Sequence, residues 1–339
     1  MQIIPDHISV IGAGSWGTAL ACLLCENFEQ VDLWGWNPTS IEAIEKHRCN
    51  LAYLPQIQLP DHLRITSTLS DVINESLRFV LAVPSHAFRQ TLEQLHQAIE
   101  SSDRNPQEST IIWGTKGFDT TSGKLLSEIC EIVFGDIRYG VISGPSFANE
   151  VANQMPTALT MACPSLQHAE ELAQWFRVNY TRVYYSDDPV GVQLGGAIKN
   201  VVAIAAGICD GLGFGANARA ALITRGLAEV SRIGTALGGR PETLMGLSGL
   251  GDLILTCTDD QSRNRRFGIG IGKGKTIEKA QRDIKQEIEG INTIKILYKI
   301  ASQKQIEIPI TEQVQHILCK DADPKQAVST LLNRIPRVE

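Results

Sequence analysis

The feature that most constrains the fold is a glycine-rich hexapeptide near the N-terminus, Gly12-Ala-Gly14-Ser-Trp-Gly17. It stands between a short apolar segment, residues 7–11, and a segment with helical spacing, residues 18–25. In a strand–turn–helix unit the first glycine permits the tight turn, the second lets the backbone approach a pyrophosphate, and the third lets the helix pack on the strand. Glycine-rich turns are common, but this position after a first strand predicts a dinucleotide-binding loop.

Strand-like and helix-like segments alternate through the first half of the chain. Apolar segments at 31–34, 79–83, 110–113 and 139–143 read as strands, and 153–185 reads as a further strand–helix–strand extension. This alternation predicts an α/β fold, a Rossmann-type doubly wound parallel sheet with helices on both faces. After about Pro189 the apolar segments are long and helical in spacing. We therefore predict an NAD(P)-binding Rossmann-like domain over 1–189 and a mostly α-helical domain, which binds substrate and carries out catalysis, over 190–339.

Length and charge limit the possible partners. The 339 residues correspond to about two domains, and the formal net charge is −6. A mildly acidic chain lacks the broad basic field that nucleic-acid or membrane-surface binding needs, so we expect no nucleic-acid partner. The longest clear apolar run, 201–209, is shorter than the roughly 18 residues of a membrane span, which predicts no membrane insertion. Residues 1–6 carry no basic segment, and this predicts a cytoplasmic protein without a secretory signal.

The cysteines predict neither disulfides nor a metal site. Eight cysteines are scattered along the chain, as expected of reduced thiols in a cytosolic enzyme. Cys22 and Cys25 form a CxxC motif, but they lie in an apolar helical pattern, and no second Cys or His pair follows at zinc-ligand spacing. We interpret them as core cysteines.

The second predicted strand bears on cofactor choice. An acid that binds the adenosine ribose usually ends this strand, about 20 residues after the glycine loop. Asp32 has the right count but lies inside the strand, which ends Trp34-Gly-Trp36-Asn. That end has no carboxylate to repel a 2′-phosphate and no arginine to bind one. We expect NADPH or NADH to be accepted, with NADPH preferred, and Ser40 to cap the helix that follows.

Polar side chains follow two later strands, at the edge where a doubly wound fold binds its ligand. Lys116 follows the strand at 110–113 and supplies a cation where substrate and nicotinamide would meet. Gly144 and Ser146 follow the strand at 139–143. A surface lysine in a turn is the plainer interpretation of Lys116, and the convergence of the strand ends favours the functional one.

A helical stretch that is apolar on nearly all sides, 191–207, contains few polar residues. Lys199 and Asn200 stand almost alone within it. Burial disfavours the ammonium form, so it lowers a lysine's pKa and can make the residue a base near neutral pH. The alternative is a lysine that reaches the surface along its aliphatic stem. Asp252 and Thr256 lie in another apolar stretch, where Asp252 could pair with Lys199.

A basic loop follows, Ser262-Arg263-Asn264-Arg-Arg266, with glycines after it. Guanidinium groups bind phosphate oxygens in a bidentate manner, so this composition suits a phosphate group. An exposed basic turn and an RNA-contacting loop are the alternatives; the net charge and the lack of interleaved aromatics disfavour RNA. A nicotinamide loop, a lysine base and a phosphate site together predict an oxidoreductase acting on a phosphorylated alcohol or ketone.

These motifs, in this order over essentially the whole chain, resemble the bacterial NAD(P)-dependent sn-glycerol-3-phosphate dehydrogenase family. The resemblance implies interconversion of dihydroxyacetone phosphate and sn-glycerol 3-phosphate for glycerophospholipid synthesis in the cytoplasm, by a homodimer. It implies that Lys199 is the proton donor or acceptor, that Asp252 and Asn200 arrange it, and that Lys116 touches substrate and nicotinamide. The expected substrate-binding residues are Lys116, Gly144, Ser146, Lys199, Asp252, Thr256, Ser262, Arg263 and Asn264. The expected cofactor-binding residues are Gly12, Gly14, Ser15, Trp16, Gly17, Trp36, Lys116, Ala148, Arg263, Glu287 and Glu289.

Two other functions remain open on the sequence. A β-hydroxyacid dehydrogenase or a ketopantoate-reductase-like enzyme would share this architecture but act on a carboxylate. A nicotinamide-binding sensor would bind the cofactor without catalysis. The basic loop favours a phosphate over a carboxylate, and a buried lysine beside Asp252 has no use in a sensor.

Overall fold

The computed structural model describes residues 6–334. The first five residues, on which the prediction about a secretory signal largely depends, lie outside this range. The chain divides into two compact units, Met1–Val192 and Gln193–Glu339. The boundary predicted from sequence, between 189 and 190, falls in the first turn of the helix that crosses this division, Pro189–Gly211.

The first unit is built on an eight-stranded sheet. Its strands are β1 His7–Ile11, β2 Gln30–Trp34, β3 Leu63–Thr66, β4 Arg78–Leu81, β5 Thr110–Trp113, β6 Arg138–Ser143, β7 Thr157–Ala162 and β8 Thr181–Ser186. Its helices are α1 Ser15–Leu24, α2 Pro38–His47, α3 Leu69–Glu75, α4 Ser85–Ser101, α5 Leu126–Phe134, α6 Ala148–Ala152 and α7 Leu166–Trp175.

The strand order is β3-β2-β1-β4-β5-β6-β7-β8, which confirms the doubly wound fold. Six of the pairs are parallel, and β6 and β7 are antiparallel. The fully parallel sheet of the prediction was therefore wrong at this pair. A parallel connection needs a crossover that runs back along the strand. Helix α6 has only five residues, so the chain re-enters the sheet near the edge at which β6 ends.

The strands are apolar on both faces because both faces are covered. In β1, Ile8 and Val10 pack into one hydrophobic cluster and Ile11 into the other. The same alternation divides Ile111 from Ile112 in β5. A strand buried on both sides reads as a continuous apolar run, and such runs located the central strands in the sequence.

The second unit is helical, and none of its described residues, 193–334, forms a strand. Its helices are α8 Pro189–Gly211, α9 Ala216–Ala236, α10 Pro241–Leu244, α11 Asp252–Thr258, α12 Arg263–Gly272, α13 Ile277–Ile284, α14 Glu289–Lys304, α15 Pro309–Lys320 and α16 Pro324–Leu332. A π-helical turn, Leu247–Gly251, directly precedes α11.

Helix α8 corrects one expectation. By length and composition it is apolar enough to cross a membrane, although the sequence was expected to contain no such stretch. The whole of its most apolar 18-residue window is buried inside the fold. The apolarity of α8 therefore reflects its place as a core helix.

Candidate active site

The three glycines of the N-terminal loop have three different geometries. Gly12 has φ +119°, and a Cβ there would lie 2.9 Å from the Ala82 carbonyl oxygen. A Cβ on Gly17 would lie 1.8 Å from the Gly12 carbonyl oxygen, so this glycine allows α1 to pack on the turn. Around Gly14 nothing lies within 4 Å of the Cβ position. The loop is thus tight where it turns and open at its middle glycine, as a pyrophosphate-binding loop requires.

Trp16 lies against the end of β5. A Cβ on Gly114 would lie 2.3 Å from Trp16 Nε1. This indole nitrogen is buried and has no hydrogen-bond partner among the described residues. The open space at Gly14 and the N–H groups of the first turn of α1, which begins at Ser15, fit a bound dinucleotide phosphate.

The candidate ribose acid, Asp32, is engaged within the sheet. Its carboxylate accepts hydrogen bonds from His7 Nε2 at 2.8 Å and from Arg64 Nε at 2.6 Å. Burial alone raises the pKa of Asp32, but the hydrogen bonds from His7 and Arg64 outweigh burial and hold the pKa below its ordinary value. Asp32 in β2 therefore links His7 of β1 and Arg64 of β3 through its carboxylate.

The end of β2 presents an aromatic side chain. Trp36 is 80% exposed, which makes it available to a ligand at the strand end. Helix α2 is capped by Asn37, whose Oδ1 accepts from the Ser40 backbone N–H at 3.1 Å, so the prediction of Ser40 as the cap was wrong. An asparagine in extended conformation caps well, and the proline after it suits the first turn.

The remaining candidates of the first unit follow β5 and β6. Lys116 is half-buried and precedes Gly117, which has φ +128°. Gly144 has φ +142°, and its carbonyl oxygen accepts from Ser146 Oγ at 3.1 Å. Ala148 begins α6, which packs against α1. β4, β5 and β6 run parallel, so the residues after β5 and β6 lie at the carboxyl edge of the sheet.

The second unit brings together Lys199, Asp252 and Thr256. Lys199 Nζ donates to Asp252 Oδ1 at 2.5 Å and to Thr256 Oγ1 at 2.8 Å. The Thr256 hydroxyl in turn donates to the Asp252 carbonyl oxygen at 2.6 Å. Lys199 is only 6% exposed and Asp252 1%, so the pair is buried. A buried ammonium held by a carboxylate and a hydroxyl is oriented for proton transfer at Nζ.

Close backbone packing produces this pairing. A Cβ on Gly195 of α8 would lie 2.6 Å from the Ser248 carbonyl oxygen in the π-helical turn. Lys199 lies one helical turn after Gly195, and Asp252 lies one helical turn after Ser248. The Lys199–Asp252 contact therefore depends on a glycine at 195. π-helical turns are rare and occur often at functional sites.

The basic loop forms the N-terminus of α12. Ser262 is its N-cap, with Oγ accepting from the Arg265 backbone N–H at 3.2 Å, and Arg263 is the first helical residue. The Arg265 side chain is buried between Asp210, at 2.6 Å, and Asp260, and is used within the protein. A capped helix N-terminus that starts with an arginine favours an anion.

Asn200 and Asn264 contact each other. Asn264 Nδ2 donates to Asn200 Oδ1 at 3.0 Å, and Asn264 Oδ1 accepts from the Gly290 backbone N–H at 3.0 Å. Glu289 is the first residue of α14, and Glu287 Oε1 accepts from Asn292 Nδ2 at 3.2 Å. Asn264 thus links α8 and α12 to the start of α14.

Sequence reasoning missed a glycine seam between α8 and α12. A Cβ on Gly207 would lie 2.1 Å from the Arg265 carbonyl oxygen, and a Cβ on Gly268 would lie 2.1 Å from that of Ile204. Gly211 and Gly272 meet the opposite backbone in the same way, at 2.5 and 2.4 Å. Two Gly-x-x-x-Gly spacings, 207–211 and 268–272, are the sequence signal that could have predicted this contact.

The cysteine pair lies on α1 and at its end. Cys22 and Cys25 are half-buried and pack against the hydrophobic cluster of the first unit. Burial raises the pKa of Cys22 to about 12 and also raises that of Cys25. Thiols that resist ionisation are poor nucleophiles and poor metal ligands. Within residues 6–334, no group of three or more His, Cys, Asp or Glu side chains could hold a metal ion.

Known proteins resemble the chain over nearly its full length. Family models described as NAD-dependent glycerol-3-phosphate dehydrogenase N-terminus and C-terminus match residues 7–169 and 188–329. A glycerol-3-phosphate dehydrogenase [NAD(P)+] of Bartonella henselae is 48% identical over 96% of this chain and 95% of its own. One of Pseudoalteromonas translucida is 47% identical over 100% of both. The crystal structure of a glycerol-3-phosphate dehydrogenase from Coxiella burnetii has a TM-score of 0.91 at 42% identity, covering 97% of this chain and 99% of that one.

Proposed function

Since the chain belongs to the NAD-dependent glycerol-3-phosphate dehydrogenase family, we propose that it interconverts dihydroxyacetone phosphate and sn-glycerol 3-phosphate with NADPH or NADH. The relatives' names favour this reaction over those of the hydroxyacid enzymes and over a sensor without catalysis. The observation that carries the proposal is the buried Lys199–Asp252–Thr256 cluster, because reduction of a ketone needs one positioned proton donor.

Lys199 acts as the acid in the direction of reduction. As the carbonyl carbon gains a hydride, negative charge develops on the oxygen, and the Lys199 ammonium donates a proton to it. Asp252 holds Nζ and balances the ammonium charge, and the Thr256 hydroxyl fixes the orientation of Nζ. In the direction of oxidation neutral Lys199 takes the hydroxyl proton. Asn200 and Lys116 contribute further polar contacts to the substrate.

The substrate phosphate is held at the N-terminus of α12. Arg263 supplies a guanidinium, and Ser262 and Asn264 supply a hydroxyl and an amide. Gly144 and Ser146 are further proposed substrate-binding residues. The N-cap geometry supports this assignment, because the helix dipole and a cation both favour an anion at this point.

The loop of Gly12, Gly14, Ser15, Trp16 and Gly17 would hold the cofactor. When bound, the reduced nicotinamide supplies the hydride. Trp36, Ala148, Lys116, Arg263, Glu287 and Glu289 complete the cofactor contacts. Asp32 is held by His7 and Arg64, so the end of β2 offers no carboxylate from Asp32 to repel a 2′-phosphate, and this supports a preference for NADPH.

The assay that tests this function follows oxidation of NADPH and, separately, of NADH. The purified protein receives dihydroxyacetone phosphate, with unphosphorylated dihydroxyacetone as the control substrate. We expect fast oxidation that depends on the phosphate, and faster turnover with NADPH. NADPH binding without turnover of either substrate would contradict the proposed reaction.

The active protein is further proposed to be a cytoplasmic homodimer that supplies glycerophospholipid synthesis. The resemblance to the family supports this part. Light scattering coupled to gel filtration should give twice the chain mass of 37.1 kDa.

A further inference from the structure

We infer that Gly290 is a positioning residue of the phosphate site, which acts by fixing the direction of the hydrogen bonds through Asn264 and Asn200. The inference rests on the proposed function, because it concerns how dihydroxyacetone phosphate is held. None of the residues assigned to substrate or cofactor includes Gly290, although it adjoins Glu289.

The direction of this hydrogen-bond chain follows from its first donor. A backbone N–H can only donate, so the Gly290 N–H requires an oxygen on Asn264, and Oδ1 accepts from it at 3.0 Å. The NH2 group of Asn264 must then face Asn200, and it donates to Asn200 Oδ1 at 3.0 Å. The amide orientation of both asparagines, which is otherwise ambiguous, is therefore fixed by Gly290.

The last group in this series of hydrogen bonds is the side-chain NH2 of Asn200. No hydrogen bond among residues 6–334 uses this nitrogen. Asn200 is 5% exposed and Asn264 8%. Reversing either amide would therefore bury two donors or two acceptors against each other without a hydrogen bond. Asn200, the residue after Lys199 in α8, therefore presents a donor and not an acceptor.

The group that such a donor recognises is an anionic oxygen. Asn264 lies in the first turn of α12, directly after Arg263, at the helix N-terminus assigned to phosphate. The Asn200 NH2 and the second N–H of Asn264 serve that same phosphate. The carbonyl oxygen of the substrate is served by Lys199.

A side chain at position 290 would crowd Asn264 and its neighbours. A Cβ there would lie 2.7 Å from Asn264 Oδ1, 2.6 Å from Ile204 Cδ1 and 3.0 Å from the Asn200 carbonyl oxygen. Alanine would displace the Asn264 amide or the start of α14. Either movement breaks the hydrogen bond from the Gly290 N–H to Asn264 Oδ1, which sets the direction of the other hydrogen bonds.

The test compares Gly290→Ala with Gly234→Ala. A Cβ on Gly234 would lie 2.4 Å from Leu244 Cδ1, so this control introduces a similar crowding on α9. For Gly290→Ala we expect KM for dihydroxyacetone phosphate to rise about tenfold and kcat to change little, since one charge-assisted hydrogen bond is lost. Gly234→Ala should leave both near wild type. Equal changes in the two variants would overturn the inference.

A second variant guards against misfolding of the first. Asn200→Asp keeps the oxygen that accepts from Asn264 and replaces only the outward NH2 by oxygen. Its KM should rise at least as much, and the inhibition constant of inorganic phosphate should rise in parallel. An unchanged KM would show that Asn200 presents no donor to substrate, and an unchanged phosphate constant with a raised KM would overturn the phosphate assignment. A wild type without turnover of dihydroxyacetone phosphate would instead overturn the proposed function itself.

Discussion

At Lys199 the Nζ atom donates to Asp252 and to Thr256, and these contacts fix its position. Lys199→Ala should lower kcat by about 10²- to 10⁴-fold, the range of a lost general acid. Stopped-flow kinetics should show this loss while NADPH affinity stays close to wild type. Lys199→Arg keeps the charge but cannot release a proton near neutral pH, so it should also be inactive. Turnover that survives in Lys199→Ala would assign the proton to another group.

The arginines of the basic loop differ in role although they are close in sequence. Arg263→Ala should raise KM for dihydroxyacetone phosphate by about 10- to 100-fold, because a hydrogen bond to a charged group contributes about 1.5–3 kcal/mol. The matched control is Arg266→Ala, since Arg266 is exposed. Steady-state kinetics should show little change in the control. A KM unchanged in Arg263→Ala would move the phosphate site elsewhere.

Asp32 connects stability to pH. Its pKa is lower in the folded chain than the ordinary value, so its contribution to stability is complete above about pH 4 and is lost as the pH falls through the folded-state value. Asp32→Asn should reduce the free energy of unfolding at pH 7 by about 1–3 kcal/mol. It should also weaken the loss of stability as the pH falls below about 4 in urea titrations. The ratio of kcat/KM for NADPH to that for NADH should not change. A changed ratio would indicate that Asp32 binds the adenosine ribose after all.

These residues show where sequence reasoning was sufficient and where it was not. A lysine in an apolar helix is conspicuous, so Lys199 and its pairing with Asp252 could be predicted. Arg263 and Arg265 look alike in sequence, but burial between Asp210 and Asp260 commits Arg265 to the fold. Only the three-dimensional contacts distinguish them. The role of Gly290 likewise depends on atoms from α8 and α12 that are distant in sequence.

At the scale of the element, the glycine seam sets the separation of α8 and α12. Gly268→Ala would place a Cβ 2.1 Å from the Ile204 carbonyl oxygen, and backbone cannot yield as a flexible side chain does. We expect a loss of about 1–3 kcal/mol or more, typical of overpacking, with a lower melting temperature. Activity should fall too, because the seam holds the helix that carries Arg263 against the helix that carries Lys199.

Gly270 provides the control on the same helix. A Cβ there would lie 3.2 Å from Ala280 Cβ and would meet no backbone closer than 3.8 Å. Alanine gains about 1 kcal/mol of helix propensity over glycine, which offsets this mild crowding. Calorimetry should therefore separate Gly268→Ala from Gly270→Ala. Equal melting temperatures would mean that the seam does not determine the packing.

At the scale of the whole molecule, the central strands could be predicted as apolar runs because β1, β4, β5 and β6 are buried on both faces. The edge strand β3 has exposed and half-buried positions over only four residues, too few for a periodic signal. The reversal at β7 depends on the length of α6, which composition does not reveal.

The last prediction uses the linkage between cofactor binding and global stability. Gly14 has φ −79°, and nothing lies within 4 Å of its Cβ position, so alanine fits the loop without strain. Alanine is a poorer N-cap than glycine, which lowers stability, but it makes the unfolded chain less flexible, which raises stability. Because these effects oppose each other, we expect the free energy of unfolding without ligand to change by less than about 1 kcal/mol. The added methyl group nevertheless fills the space that a pyrophosphate needs. NADPH at 100 times its dissociation constant should stabilise the wild type by about 2.7 kcal/mol, and this shift should disappear in Gly14→Ala. Thermal denaturation with and without NADPH measures both quantities. A full NADPH-induced shift in Gly14→Ala would mean that the nucleotide phosphates bind elsewhere, whereas a variant that unfolds without ligand would contradict the open geometry of the loop.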